Sequence, residues 1–503
     1  MTRLVDVAPR AGSISSADEV RLTPYEAMLA DLLFVCDELN MAGVPFVLIR
    51  GADGRPALVV DIALRARVAE TLMSACLEVP LRAKILDGTG RRSVYLGDGL
   101  LSADPDPRLL RVFRHRECPR FGLRYGASAG VELQFWVFDG MQAICPIENS
   151  LTRKVLVLAD IAYTTVDMFG RTWRTIDGMF APHAGDVTFD IDMVFSWVDG
   201  NDPEFCARRA AAMAGQVVGE GDEADARIRQ IDELKYALRS VHAFAPWVRR
   251  IFVATDSPVP RWLAAHPKVT IVRAEDHFTD LSALPVYNSH AVESQLHHIP
   301  GLAEHFLYSN DDMFFGRPVS PTMFFSPGGV TKFIEAGTRI GLGANHPERS
   351  GFENAARVNR QLLWDKFGKV ITRHLEHSAA PLRKSVLLEL EREFPQEFAR
   401  TQASRFRAST DISVTNSLYH YYALMTGRAV QHECAKVLYV DTTMRSGLAK
   451  LPQLLRKRKF DFFCLNDGSF PEVSMGERAH VVGEFLDRYF PVPAPWERGA
   501  EDD

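Results

Sequence analysis

A chain of 503 residues exceeds what one hydrophobic core supports, so two or three domains are expected. Apolar content of 47% with 24% charged residues excludes disorder as the default, and a net charge of −6 gives no general attraction to nucleic acid. Seven cysteines, at 36, 76, 118, 145, 206, 434 and 464, are dispersed without zinc spacing, and no apolar run approaches the ~20 residues of a membrane span; both features predict a cytoplasmic protein whose membrane contacts are peripheral.

Residues 1–20 are rich in Ser, Ala and Asp and read as a mobile N-terminus. From 21 to about 180, helical patterns over 25–39 and 64–78 alternate with strand-like 44–49, 93–96, 130–138 and 155–158, which predicts a small α+β domain without a functional motif. Asp53 and Asp61, beside a glycine turn and a Val-Val pair, fit turn and strand-edge roles better than a nucleotide site.

After a linker at 181–186, an apolar run from Val187 to Val198 meets Asp199-Gly200-Asn201-Asp202-Pro203 and must turn there. Glycine lets backbone approach a phosphate or ribose, and Asp199 can accept hydrogen bonds from hydroxyls. A polar, helix-rich insertion reaches about 230. An amphipathic helix over 234–244 then carries Arg239, either a surface cation or a phosphate clamp. Runs at 251–260 and 269–272 read as further strands, and the alternation predicts a mostly parallel α/β sheet with helices on both faces. Asn288 caps a predicted helix that places His290, Glu293 and His297 on one face.

The stretch Leu307-Tyr-Ser-Asn-Asp-Asp-Met-Phe-Phe reads as a buried strand ending at Asn310, which presents Asp311 and Asp312 at its carboxyl end. Adjacent carboxylates there suit a hard cation bridging phosphates, although Asn-Asp-Asp is also ordinary turn composition. Residues 341–351 read as a substrate loop or lid, and 352–367 as a helix with Arg357 and Arg360. Arg373, His374 and His377 precede a long helix expected over 381–394. Histidine suits general acid or base work on a sugar hydroxyl, and Arg405 and Arg407 suit bidentate phosphate recognition. The basic run 456–459 reads as a solvated helix end. Residues 460–466 read as another apolar strand, ending in Asn466-Asp467, before a closing helix near 485 and a proline-rich end.

Four ordered blocks over about 300 residues resemble the signature regions of the Stealth family: Asp190-Ile-Asp-Met-Val-Phe-Ser-Trp-Val-Asp-Gly; Asp232-Glu-Leu-Lys-Tyr with Asn288-Ser-His-Ala-Val-Glu-Ser and Tyr308-Ser-Asn-Asp-Asp; Arg373-His-Leu-Glu-His with Arg405-Phe-Arg; and Phe462-Phe-Cys-Leu-Asn-Asp. The resemblance covers 187–497, leaves 21–180 and the tail 498–503 outside it, and implies a Rossmann-like, glycosyltransferase-A-like sheet with helical additions. It implies transfer of a sugar 1-phosphate, GlcNAc-1-phosphate or similar, from a UDP-sugar to an acceptor saccharide hydroxyl in exopolysaccharide or capsule synthesis, with release of UMP. Asp192, Glu293, Asp312, His377 and Arg407 match positions important in that family; Ser196 stands where threonine is usual. The implied roles are Mg²⁺ or Mn²⁺ binding by Asp311, Asp312 and Asp467, and phosphate neutralisation by Arg407 with Arg373 or Arg239. His377 is the implied base, oriented or replaced by Glu293. Asp192, Trp197, Asp199, Gly200 and His374 are the remaining implied substrate contacts. Peripheral association with export machinery and a homo-oligomer are compatible with this reading. Its rivals are a metal-dependent glycosyltransferase that releases UDP and a non-catalytic carbohydrate-binding protein.

Overall fold

The computed structural model describes residues 22–498 apart from 88–92, 100, 102–106, 119–120, 122, 215–218, 220–229, 433 and 469–470. The N-terminus expected to be mobile, most of the 215–229 insertion and the tail beyond 498 lie outside the described residues. The chain divides into two compact units, one ending at His183 and the other beginning at Ala184.

In the first unit, strands Val47–Arg50, Pro56–Asp61, Val131–Phe138, Leu109–Arg114, Leu81–Ile85 and Ser93–Tyr95 lie side by side in that order. Helices Pro24–Met41 and Arg65–Ala75 cover one face through Leu32, Val35, Val68 and Leu72, packed with Leu58 and Leu133. Asp53 is held by Arg55 and Arg111, and Asp61 caps a short turn by accepting the Ala63 N–H, so both serve local structure.

The second unit is built on β1 (Ile191–Ser196), β2 (Ile251–Ala254), β3 (Val269–Val272) and β4 (His305–Asn310), four parallel strands in the order β3-β2-β1-β4. β6 (Ala380–Arg383) closes the edge antiparallel to β4, so the helix expected from 381 begins only at Lys384. β1 is buried almost throughout, as a strand covered on both faces must be. Met193, Phe195 and Leu307 enter one core with Leu234, Ala237, Leu238 and Val241 of α1 (Glu233–Phe244). Val194, Phe306 and Tyr308 enter the other.

From β1 the chain crosses to β2 on one side and later to β4 on the other, so the order reverses between β1 and β4. Ligand crevices of open α/β sheets form outside the strand carboxyl ends at such a switch point. Here Ser196 and Asn310 are register partners at that end. Beyond Asn310 the chain turns through Asp311 and Asp312 into β5 (Met313–Phe315), which pairs antiparallel with β8 (Phe462–Asn466); β7 (Val437–Asp441) flanks β8 in parallel. This second sheet fixes where the aspartates stand.

Gly316 ends β5 against the Phe460 carbonyl oxygen, which a Cβ would meet at 2.5 Å. Gly316→Ala is expected to push β5 off β8 and lower stability by about 1–3 kcal/mol, read from the chemical denaturation midpoint of the second unit's transition.

Candidate active site

A cleft of about 650 Å³ opens at the switch point. One wall is acidic: Asp311 and Asp312 from the β4–β5 turn, Asp467 just past β8, and Glu233 at the start of α1. The register Met313↔Cys464 sets Leu465 opposite Asp312 and carries the end of β8, with Asp467 just past it, to the same cleft. Leu465 N–H donates to the Asp312 carbonyl (2.9 Å), and the Cys464 thiol donates to Asp312 Oδ2 (3.4 Å). Arg478, from helix α5 (Met475–Tyr489), is almost wholly buried between Asp467 and Glu233, 3.4 Å from each. Gln230 links the indole N–H of Trp197 to Asp311 Oδ2, with both bonds at 3.0 Å.

The cleft is also lined by Glu293, His377 and Arg407. Glu293 lies on α2 (Ser289–Glu293), a single turn capped by Asn288. Its Oε1 accepts the Tyr308 hydroxyl (3.2 Å) and its Oε2 the Thr415 hydroxyl (2.7 Å), which fixes the carboxylate. Arg407 donates to Ser289 Oγ at 2.8 Å. Its loop is pinned because the Asn288 amide donates to the Ser404 and Phe406 carbonyls and to Asp411. His377 faces Tyr439 with ring centroids 5.0 Å apart. Phe406 stacks on Tyr287, adding an aromatic surface to the cleft.

Burial and the adjacent Asp312 push the Asp311 carboxyl up to about 8, and burial raises Asp312 to about 6. Asp312 Oδ1 is buried and has no hydrogen-bond partner among the described residues. An all-oxygen donor set with an unsatisfied carboxylate oxygen fits a hard divalent cation. Burial, then His374, pushes the His377 imidazole down, which leaves it neutral at pH 7.

The cleft therefore unites Trp197, Glu293, Asp311, Asp312, His377, Arg407 and Asp467. Asp199 and Gly200 adjoin it at the turn after β1, but Asp199 Oδ1 is engaged by Asn201 N–H and the Gly200 carbonyl by Cys206. Four expected contacts lie elsewhere. Asp192 sits at the amino end of β1, away from the crevice, and is fully buried; its carboxylate takes Arg249 Nε (2.8 Å), Arg249 Nη2 (2.5 Å) and Ala303 N–H (2.8 Å). Arg239 forms a bidentate pair with Glu497 and donates to the Phe490 carbonyl. Arg373 donates to the Ala336 carbonyl beside Glu335. His374 is buried against Phe352, with ring centroids 4.4 Å apart, and reaches the chemistry only through the field it exerts on His377.

The helix expected from Asn288 stops at Glu293, and His297 falls on a separate 3-10 turn, Leu296–His298. His290, 3.9 Å from Asp411, lines the cleft together with Glu293, whereas His297 is carried away to Glu391, so only His297 leaves the shared face. Sequence reasoning missed Gln230, Glu233, Cys464 and Arg478. Glu233 and Cys464 stand inside recognised blocks. Arg478, at a helical position far along the chain from the aspartates, carries no local signal.

Patterns of the Stealth conserved regions match this chain in order: region 1 over 189–216, region 2 over 227–333, region 3 over 376–424 and region 4 over 452–503. The chain is 66% identical over 496 residues to an exopolysaccharide phosphotransferase of Mycobacterium tuberculosis, covering 99% of this chain and 93% of that one. A Nocardia farcinica exopolysaccharide phosphotransferase is 59% identical over 477 residues, 95% of this chain and 88% of the relative. One from Streptomyces coelicolor is 38% identical over 505 residues, 95% and 92%. A solved galactosyltransferase with donor and acceptor sugar analogs covers 62% of this chain and 98% of its own at 12% identity and a TM-score of 0.30, too slight a likeness to argue from.

Two outcomes follow from these placements. The raised Asp311 and Asp312 carboxyls keep protons in the native state that the unfolded chain has already released above pH 4, so their contribution to stability falls as pH rises toward 8. Asp311→Asn is expected to raise the thermal midpoint of chelator-treated protein by at least about 2 °C at pH 8, with no gain near pH 4, while turnover falls about 100-fold or more. Asp192→Ala is expected to cost about 3 kcal/mol in urea unfolding, because it strips the partner from a bidentate arginine, and to leave UDP affinity within about twofold of wild type.

Proposed function

Because the chain belongs to the Stealth family, we propose that it is a sugar-1-phosphate transferase of exopolysaccharide synthesis, which moves a hexose 1-phosphate from a UDP-sugar to a hydroxyl of an acceptor saccharide and releases UMP. The observation that carries this reading is the lining of the cleft, which combines clustered carboxylates with a neutral histidine, a fixed glutamate and an arginine. Phosphoryl transfer asks for charge neutralisation and an oriented nucleophile more than for a covalent catalyst, and this wall composition supplies both.

Asp311, Asp312 and Asp467 would hold a divalent cation, Mg²⁺ or Mn²⁺, which when bound supplies positive charge to the donor pyrophosphate. Gln230 orients Asp311, and Cys464 with the Leu465 N–H orients Asp312. Trp197 and the adjoining Asp199-Gly200 turn border the donor side. The acceptor hydroxyl oxygen attacks the sugar-side phosphorus and the bond from that phosphorus to the UMP oxygen breaks. His377 takes the hydroxyl proton. Glu293, held by two hydroxyl donors, orients the acceptor, and Arg407 balances charge developing on the transferred phosphoryl oxygens.

The test is nucleotide product analysis with Mg²⁺, UDP-GlcNAc or other UDP-hexoses, and oligosaccharide acceptors. Acceptor-dependent UMP that vanishes in Asp312→Ala is the expected result. Release of UDP instead would mean that the glycosyl bond is cut and that the phosphate stays on the nucleotide. His377→Gln is expected to lower kcat by about 100-fold or more and to remove the acid limb of the kcat/KM profile, whose midpoint in the wild type lies below 6.5 because burial depresses the imidazole.

A further inference from the structure

Outside the cleft, His297, His298 and Glu391 bring three ligand atoms within 4.8 Å of one another. The two histidines occupy the 3-10 turn that follows α2, and Glu391 lies on α4 (Lys384–Glu393). Both imidazoles converge on one oxygen: Glu391 Oε2 is 3.2 Å from His297 Nε2 and 3.1 Å from His298 Nε2. Hydrogen bonds between an imidazole N–H and a carboxylate typically close to about 2.7–2.9 Å when charge assists them. Ligand atoms on a tetrahedral zinc ion, at bonds of about 2.0–2.2 Å, stand roughly 3.3 Å apart instead. The observed spacings suit a neutral hydrogen bond and also lie close to the separation a shared ion requires.

His297 is wholly buried between the core residues Leu296 and Ile299, whereas the side chains of His298 and Glu391 are 24% and 25% exposed. One rigid ligand and two at the solvent edge leave a fourth position that water can fill.

We propose that His297, His298 and Glu391 bind a single zinc ion, which clasps the turn following the Glu293 helix to α4. Two imidazoles and one carboxylate favour a borderline cation over magnesium or calcium, so this site and the all-oxygen cleft are expected to select different ions. Zinc would stabilise the native unit by mass action and take no part in the reaction.

The experiment uses untagged full-length protein, stripped with chelator and returned to millimolar Mg²⁺, then titrated with ZnCl₂ by calorimetry and followed by thermal unfolding. One zinc per chain and a higher midpoint are expected. His298→Gln and Glu391→Gln should each weaken binding about 100-fold and abolish the zinc-dependent rise, while Asp312→Ala leaves zinc binding unchanged. X-ray absorption of the zinc-loaded wild type should show two imidazoles, a readout that requires no variant to fold. Absence of zinc binding by the wild type, binding unchanged in both site variants, or binding lost in Asp312→Ala would each overturn the proposal, and none of these outcomes bears on whether UMP is released.

Discussion

The electrostatic cost of holding Asp311 and Asp312 side by side, buried, at the end of β4 is the constraint on which the rest of the second unit depends. Burial pushes both carboxyls up, and the backbone hydrogen bonds of the β4–β5 turn itself offset only part of that. The compensation comes from distant segments. Arg478 enters from α5, Gln230 from the approach to α1, and Cys464 and Leu465 from β8, each meeting a different atom of the cluster. The small sheet of β5, β8 and β7 is thus a positioning device as well as a packing layer. Its stacked aromatics, Phe314 on Phe463 and Phe463 on Phe490, make the register of β8 against β5 hard to slip, and a slip by one residue would move Asp467 to the other face.

Features set by local chemistry were legible in the sequence. The apolar run into Asn310 predicted a strand ending where it does end, and the alternation of strands and helices predicted the parallel sheet. The switch point between β1 and β4 was not legible, because strand order is a property of crossovers and no segment encodes it alone. Asp192 shows how a motif position can mislead. It lies in the same strand as Trp197's approach, yet strand polarity puts it at the far end from the crevice, where Arg249 and Ala303 close around it. Arg239 was ambiguous for a similar reason. Its partner, Glu497, lies 258 residues away, and no local pattern announces so distant a carboxylate.

The segment after Asn288 fails in a different way. Its 3.6-residue spacing is sound through Glu293, but the Ser294 hydroxyl donates to the Ala291 carbonyl, and the chain re-enters helical geometry only as the 3-10 turn that carries His297. That break separates functions that one helix would have merged. Glu293 and His290 stay on the cleft, with His290 3.9 Å from Asp411, while His297 turns toward α4. A continuous helix would carry His297 on around to the face that Glu293 presents to the cleft.

The acidic groups of the cleft and the pair Glu293 and Arg407 are held from different sides of the sheet. The acidic wall is fixed by β5, β8 and α5, on the side of the sheet packed with α1, whereas Glu293 and Arg407 are fixed through Asn288, Asp411 and Thr415 on the opposite side. In-line displacement places the entering and leaving oxygens on opposite sides of the transferred phosphorus. A cleft lined from both sides of the sheet can present unlike chemistry to those two oxygens, with carboxylates for the cation at the pyrophosphate and a neutral imidazole, resting on Tyr439 of β7, for the hydroxyl. Burial, then His374, keeps His377 depressed and ready to accept a proton.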